Sequence, residues 1–337
     1  MGARSISRAA PADTGVLRVV PFSEPTIFDP VLTGFYSTTN AALMIYDTLF
    51  SWDANMVARP QMVQAWERSD DGLTYRFSLR PGLHFHDGSE VTTRDVIASL
   101  RRMLLGDTTN QLFASHVAGM DRIDDRAFVL RLREPFAFVE FLLGGGNNIS
   151  GAIMREKEAE TPPSSPVRNL IGSGPFRFLP GEYVPGAHLV WERFDGYVPR
   201  SEPPSGFAGG KVAKVKRVEW MIMPDPEVGY QALLANEVDL LDSPSIDLMP
   251  TVANNPDIVI RELWPIEGQT VLRFNWLWPP FNNLKARQAV AHALSQTDEM
   301  QAAIGDPQYW RTCRAFWVCG SPNGTEVGSE AYKSPDL

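Results

Sequence analysis

Between Leu73 and Leu104 the chain reads LTYRFSLRPGLHFHDGSEVTTRDVIASLRRML, and its hydrophobic period changes from two to 3.6 within that one stretch. Leu73, Tyr75, Phe77 and Leu79 alternate with Thr74, Arg76, Ser78 and Arg80, as a strand with one buried face requires. Pro81-Gly82 supplies a tight turn, because proline presets one dihedral and glycine tolerates the positive one. Leu83 and Phe85 resume the apolar face with His84 and His86 opposite, which predicts a second short strand closed by Asp87-Gly88. Thr92 with Asp95 predicts a capping box, and Val96, Ile97, Leu100 and Leu104 give the following helix one apolar stripe. By itself the stretch is a two-stranded unit leading into a capped helix.

The same logic extends outward. Residues 1–14 are polar and read as a loose lead-in. Val16–Val20 predicts a strand, Pro21–Thr39 a long loop around Asp29-Pro30, and Asn40–Phe50 a helix. Ile123–Leu132 predicts a hairpin turning at Asp124-Asp125, and Pro135–Leu143 a buried helix. Thr161–Pro166 is linker-like and marks a candidate boundary. Lys216–Met223 predicts a strand, and Pro224-Asp225-Pro226 a helix start whose end falls at Asn236.

At 337 residues the chain has room for two domains. Its net charge of −9 and scattered cations argue against nucleic acid, which needs a clustered basic face. No apolar run approaches the ~20 residues that span a bilayer. Met1–Ile6 lacks the apolar core of a signal peptide, as in a cytoplasmic protein or an exported one read without its leader. Cys313 and Cys319 fit neither a redox pair nor a zinc site; they could close a small disulfide loop or remain two thiols.

Catalytic readings are poorly supported. His84, His86 and Asp87 form the best metal candidate, since alternate strand residues share a face, yet Asp87 before Gly88 is equally a turn former. Gly144–Asn148 lacks the Lys-Ser/Thr pair of a phosphate loop, and Gly172-Ser173-Gly174 lacks the third glycine of a dinucleotide site. No nucleophile elbow is present, and His116, His188 and His292 stand alone in the sequence. No catalytic residue and no cofactor is expected. Trp264, Trp276 and Trp278 are more informative: indoles beside Asn275 could line a binding cleft, with Trp264 read as core.

Phe77–Arg102, as F-x-LRPG-x-x-FHDG-x-x-x-T-x-x-DV-x-x-S-x-x-R, resembles the signature of the family 5 extracellular solute-binding proteins, the peptide- and nickel-type receptors of ABC importers. Ile171–Phe178 (IGSGPFRF) resembles the family's GTGP strand entry, Glu237–Leu240 its GEVDL helix end, and Leu272–Leu294 its third motif, whose strand in relatives crosses from the first lobe to the second. The resemblance implies a type II periplasmic-binding-protein-like α/β fold with mixed sheets and two lobes. Residues 15–50 and 165–268 would form the lobe I core, 51–164 an inserted subdomain, and 269–337 the start of a second lobe that is incomplete. It also implies a monomeric, non-enzymatic receptor, periplasmic or extracellular, that captures short peptides and hands them to ABC permease subunits. The alternatives are a receptor of that fold for a metal chelate, oligosaccharide or opine, and, less favoured, a metal-dependent hydrolase. The implied ligand contacts are Phe35, Tyr36 and Ser37 in the first loop and Asn275, Trp276 and Trp278 at the crossover.

Overall fold

A computed structural model describes residues 4–8, 15–145, 149–262, 271–321 and 324–329. The chain divides into two compact units, Ala12–Pro224 and a second made of Met1–Pro11 with Asp225–Leu337.

The chain opens with β1 (Arg4–Arg8), which belongs to the second unit. Its polar composition hides this: Ile6 is fully buried and Ser5 nearly so, and the strand is held by pairing to segments far along the chain. The loose lead-in expected there is thus a paired strand over Arg4–Arg8.

The unit Ala12–Pro224 begins with β2 (Val16–Val20) and α1 (Tyr36–Ile45), then β3 (Phe50–Trp52), β4 (Ala58–Pro60), β5 (Val63–Arg68) and β6 (Thr74–Leu79). Next come α2 (Thr93–Met103), α3 (Thr108–His116), β7 (Val117–Arg122), β8 (Ala127–Leu132), α4 (Val139–Leu142), β9 (Gly144–Gly145) and α5 (Glu156–Ala159). β10 (Phe176–Phe178), β11 (His188–Arg193) and β12 (Arg217–Met221) complete it. β10, β11 and β12 pair antiparallel in that order, and β12 runs parallel to β2. A second, antiparallel sheet has the order β5-β6-β8-β7, and a third has the order β4-β3-β9.

The alternation in β6 does what its period requires: Tyr75, Phe77 and Leu79 are buried while Arg76 is exposed. Phe77 faces Phe128 of β8 in register, with their rings stacked at 5.1 Å. α2 lays Val96, Leu100 and Met103 into the same core, all at most 2 % exposed. Thr92 caps α2 reciprocally with Asp95, as expected. The expected strand at Leu83–Phe85 is instead a single bridge, His84 with Glu90, because the Asp87-Gly88 turn folds back too soon for a ladder. The apolar run Pro135–Leu143 helps only the short α4, with Phe138 56 % exposed.

In the second unit β1 pairs antiparallel with β13 (Leu240–Asp242) and β14 (Ile258–Glu262). α6 (Pro226–Leu234) starts on Asp225, whose side chain accepts from Glu227 N, and Asn236 beyond it takes φ 66°. α7 (Met249–Val252), α8 (Leu284–Ala293) and α9 (Gln296–Ile304) follow. Residues 271–275 form no strand, although the crossover motif suggested one. Cys313 and Cys319 are disulfide-bonded, with Cα atoms 5.8 Å apart. Among the described residues no helix is long and apolar enough to cross a membrane.

Candidate functional site

The first-loop residues sit at the N-terminus of α1. Thr39 N donates to Phe35 O at 2.9 Å, which opens the helix without a side-chain cap. The first turn is stitched to the preceding loop by Thr38 Oγ1 donating to Ile27 O at 2.6 Å and by the Ser23 and Ser37 hydroxyls at 3.1 Å. Ser37 is therefore turned inward, 4 % exposed, while Phe35 is 70 % exposed. Tyr36 lies edge-on to Phe22 at 5.8 Å, and both rings reach solvent. Phe22 completes an exposed aromatic group that nothing local in its sequence distinguishes.

Buried charge fixes this loop. Asp29 Oδ1 accepts from Val31 N at 3.0 Å, and Oδ2 accepts from Val167 N at 2.9 Å and Arg102 Nη2 at 2.6 Å. Both partners of the ion pair are at most 1 % exposed. Arg102 also donates to Ser165 O at 3.2 Å and to Thr161 O. One guanidinium thus joins the loop, α2 and the linker-like segment 161–166, and the partial burial cost of each charge is offset by several hydrogen bonds.

The other end of α1 is held by the IGSGP segment. Gly174 N donates to Ile45 O at 2.8 Å, and a Cβ on Gly174 would lie 2.6 Å from Met44 O. A Cβ on Gly172 would land on the Ile45 carbonyl, so both positions need glycine for close approach. His86 clamps the far side of the segment: Nδ1 accepts from Gly172 N at 3.2 Å, and Nε2 donates to Gly174 O at 3.1 Å. Burial pushes the His86 pKa down to about 4, although its bond to Gly174 acts the other way, so the ring is neutral at pH 7.

This arrangement answers the metal reading of His84, His86 and Asp87. Both His86 nitrogens are committed to backbone groups, and His84 Nδ1 lies 3.1 Å from Gly82 O. Burial alone would raise the Asp87 carboxyl, but bonds from Ser89 and Arg155 outweigh it and hold the pKa below the usual carboxylate value. Among the described residues no group of three or more His, Cys, Asp or Glu could hold a metal ion.

Next to α1, Asp47 gathers Lys211 Nζ at 2.8 Å and the Tyr197 hydroxyl at 2.9 Å, while its backbone N–H donates to Ser173 Oγ at 3.3 Å. Burial and then the Asp47 charge raise the Tyr197 pKa, so its phenol remains a donor. Neither this cluster nor the Asp29–Arg102 pair was anticipated; the Asp-Pro turn and the S-x-x-R end of the α2 motif were the only local signals.

In the second unit, Asn275 Oδ1 accepts from Leu277 N at 3.1 Å and shapes the turn that presents Trp276 and Trp278. These indoles are 64 % and 67 % exposed. The Arg287 guanidinium of α8 lies 4.1 Å over the Trp276 ring. Arg287 also donates to Phe281 O at 2.5 Å, and Asn283 caps α8 through Lys285 N at 2.9 Å. Trp264 lies outside the described residues.

The chain is 42 % identical over 288 residues to a Sinorhizobium fredii protein named "Probable peptide ABC transporter periplasmic-binding protein", a match covering 85 % of the chain and 54 % of that protein. The chain thus spans about half the length of the curated relatives it matches. The fold is shared with the oligopeptide-binding protein AppA of Bacillus subtilis, solved with a nonapeptide, at a TM-score of 0.69 and 21 % identity. That match covers 90 % of the chain and 58 % of AppA. It is shared equally with the PBP AgaA of A. tumefaciens, solved with agropinic acid, at a TM-score of 0.67, 24 % identity and coverages of 86 % and 56 %. The α/β fold of periplasmic binding proteins, with its mixed sheets, is therefore established. Residues 58–308 match the profile of the Bacterial extracellular solute-binding proteins, family 5 Middle, and the chain belongs to that family.

Proposed function

We propose that this chain acts in the substrate-binding receptor of an ABC importer, capturing short peptides outside the cytoplasm and delivering them to membrane permease subunits. The observation that carries this reading is the rigidly anchored α1 N-terminus with outward-facing Phe35 and Tyr36, in a chain 42 % identical to a protein named for peptide transport. Aromatic rings on a fixed scaffold offer broad apolar contact at little conformational cost, which suits ligands of varied side chain. Phe35, Tyr36, Ser37, Asn275, Trp276 and Trp278 are the proposed ligand contacts, with Ser37 acting through its hydroxyl network.

The receptor works without a cofactor or bond-making chemistry, as a monomer, and takes no nucleic acid; its charge of −9 supports the last point. We assign 15–50 and 165–268 to a first lobe, 51–164 to its inserted subdomain and 269–337 to the start of a second. All strands of the β5-β6-β8-β7 and β4-β3-β9 sheets come from residues 50–145, which supports the insertion, although the unit boundary at Pro224 falls inside the first assignment.

Titration calorimetry of the chain with di-, tri- and oligopeptides tests this reading. Saturable heats with peptides are expected. Binding of agropinic acid or a related opine with silence toward peptides would overturn the peptide assignment in favour of the second reading, which the comparable likeness to AgaA supports.

A further inference from the structure

The disulfide between Cys313 and Cys319 closes a loop of five residues, Arg314-Ala315-Phe316-Trp317-Val318. Its base is held from several sides. The Gln296 side chain, at the start of α9, clasps Cys313 in both directions: Nε2 donates to Cys313 O at 2.8 Å, and Oε1 accepts from Cys313 N at 2.8 Å. Arg311 Nη2 donates to Cys319 O at 2.8 Å, and Glu326 Oε1 accepts from Arg314 N at 3.3 Å. Ala315 is buried within this base.

The tip has the opposite character. Phe316 is 84 % exposed and Trp317 58 %, with their rings edge to face at 5.2 Å. Two large apolar side chains are thus presented to solvent by a loop already cross-linked and hydrogen-bonded at its base. Little ordering remains to be done when they meet a partner. The surrounding charge is one-sided. Residues 307–325 contain Arg311 and Arg314 and no Asp or Glu, in a chain with 31 basic residues against 40 acidic. Glu326, just beyond this span, is the carboxylate that reaches the loop, and it does so at the base.

A polar acidic partner would match the arginines and leave Phe316 and Trp317 in water. A purely apolar partner would cover the rings and leave the arginines unmatched. A bilayer surface satisfies both, because its acyl boundary takes phenyl and indole rings while its phosphates meet guanidinium groups. We propose that the Cys313–Cys319 loop is a membrane-contact element that sets Phe316 and Trp317 into the interface of an anionic lipid bilayer, with Arg314 against lipid phosphate. Buried apolar area and attraction to anionic headgroups together set the strength of such a contact.

The proposal does not depend on the peptide assignment, since vesicle binding is read with no peptide present. The full chain is co-sedimented with vesicles of phosphatidylcholine alone and of phosphatidylcholine mixed with an equal part of phosphatidylglycerol, over millimolar lipid. Binding to the anionic vesicles is expected, with several-fold weaker binding to the neutral ones. F316S/W317S should weaken it about tenfold or more, and R314Q about fivefold. Raising the salt should weaken the wild type and narrow its difference from R314Q. The replaced rings are exposed, so an unchanged melting temperature and circular dichroism spectrum report that the variants remain folded. Failure of the wild type to sediment with either vesicle, or sedimentation that F316S/W317S leaves intact, would overturn the proposal. Two further results would also overturn it: lipid-free self-association that F316S/W317S abolishes would assign the tip to a second copy, and equal binding to both vesicles would remove the anionic lipid.

Discussion

The imidazole of His86 is a neutral spacer between two backbone groups, and its low pKa has a consequence for stability. Its folded pKa of about 4 lies below the ordinary 6.5, so as pH falls the unfolded chain takes up this proton first. The stability tied to the neutral ring is complete above pH 6.5 and is lost as pH falls through 4, in total on the order of 3 kcal/mol. Urea denaturation of the wild type should therefore weaken steeply between those values. His86→Gln should begin less stable at pH 7 and show a shallower slope; an unchanged slope would mean that other groups carry the acid sensitivity. This role was hidden in the sequence. His84 and His86 share a strand-like spacing, which suggested a common face, but the backbone turns at Asp87-Gly88 and sends only His86 into the protein, where it is 6 % exposed.

Elements owe their positions here to a few close approaches. α1 is gripped at its C-terminus by glycines 172 and 174, and Gly172→Ala should cost about 2 kcal/mol or more, since the added methyl meets main-chain carbonyl rather than a movable side chain. Chemical denaturation measures this, and Gly181→Ala, where a Cβ meets nothing within 4 Å, is the matched control. The N-terminal side of α1 depends on α2 through Asp29 and Arg102. Removing either charge alone strands its partner in a buried site, so Asp29→Asn and Arg102→Met should each cost about 3–5 kcal/mol. The double variant should cost clearly less than the sum, a coupling that a double-mutant cycle reads directly. Additive losses would show that the pair contributes no mutual energy. The strands and α2 were legible beforehand because period and capping act within a few residues. β1 was not, because Arg-Ser-Ile-Ser-Arg has no strong propensity and its order comes from β13 and β14.

For the molecule as a whole, the receptor reading proposes the exposed Phe35 and Trp278 as side chains that contact ligand. Phe35→Ala and Trp278→Ala should each weaken a bound peptide about tenfold or more while leaving the melting temperature of the free chain nearly unchanged, as exposed side chains do. Calorimetry with a peptide found to bind the wild type checks this, and unaltered affinity in both variants would remove them from the site. The amino-acid sequence by itself determined the β6–α2 unit, the capping box at Thr92 and the family motifs, all of which are written in spacings of a few residues, and the resemblance those motifs carry implied the α/β class. Only the tertiary structure decided which charges meet: Asp29 finds Arg102 across 73 positions and Asp47 finds Lys211 across 164. The physical reason is that local propensity acts within a turn or two of backbone, whereas a buried ion pair is selected by the topology that brings distant segments together and by the cost of leaving either charge unpaired.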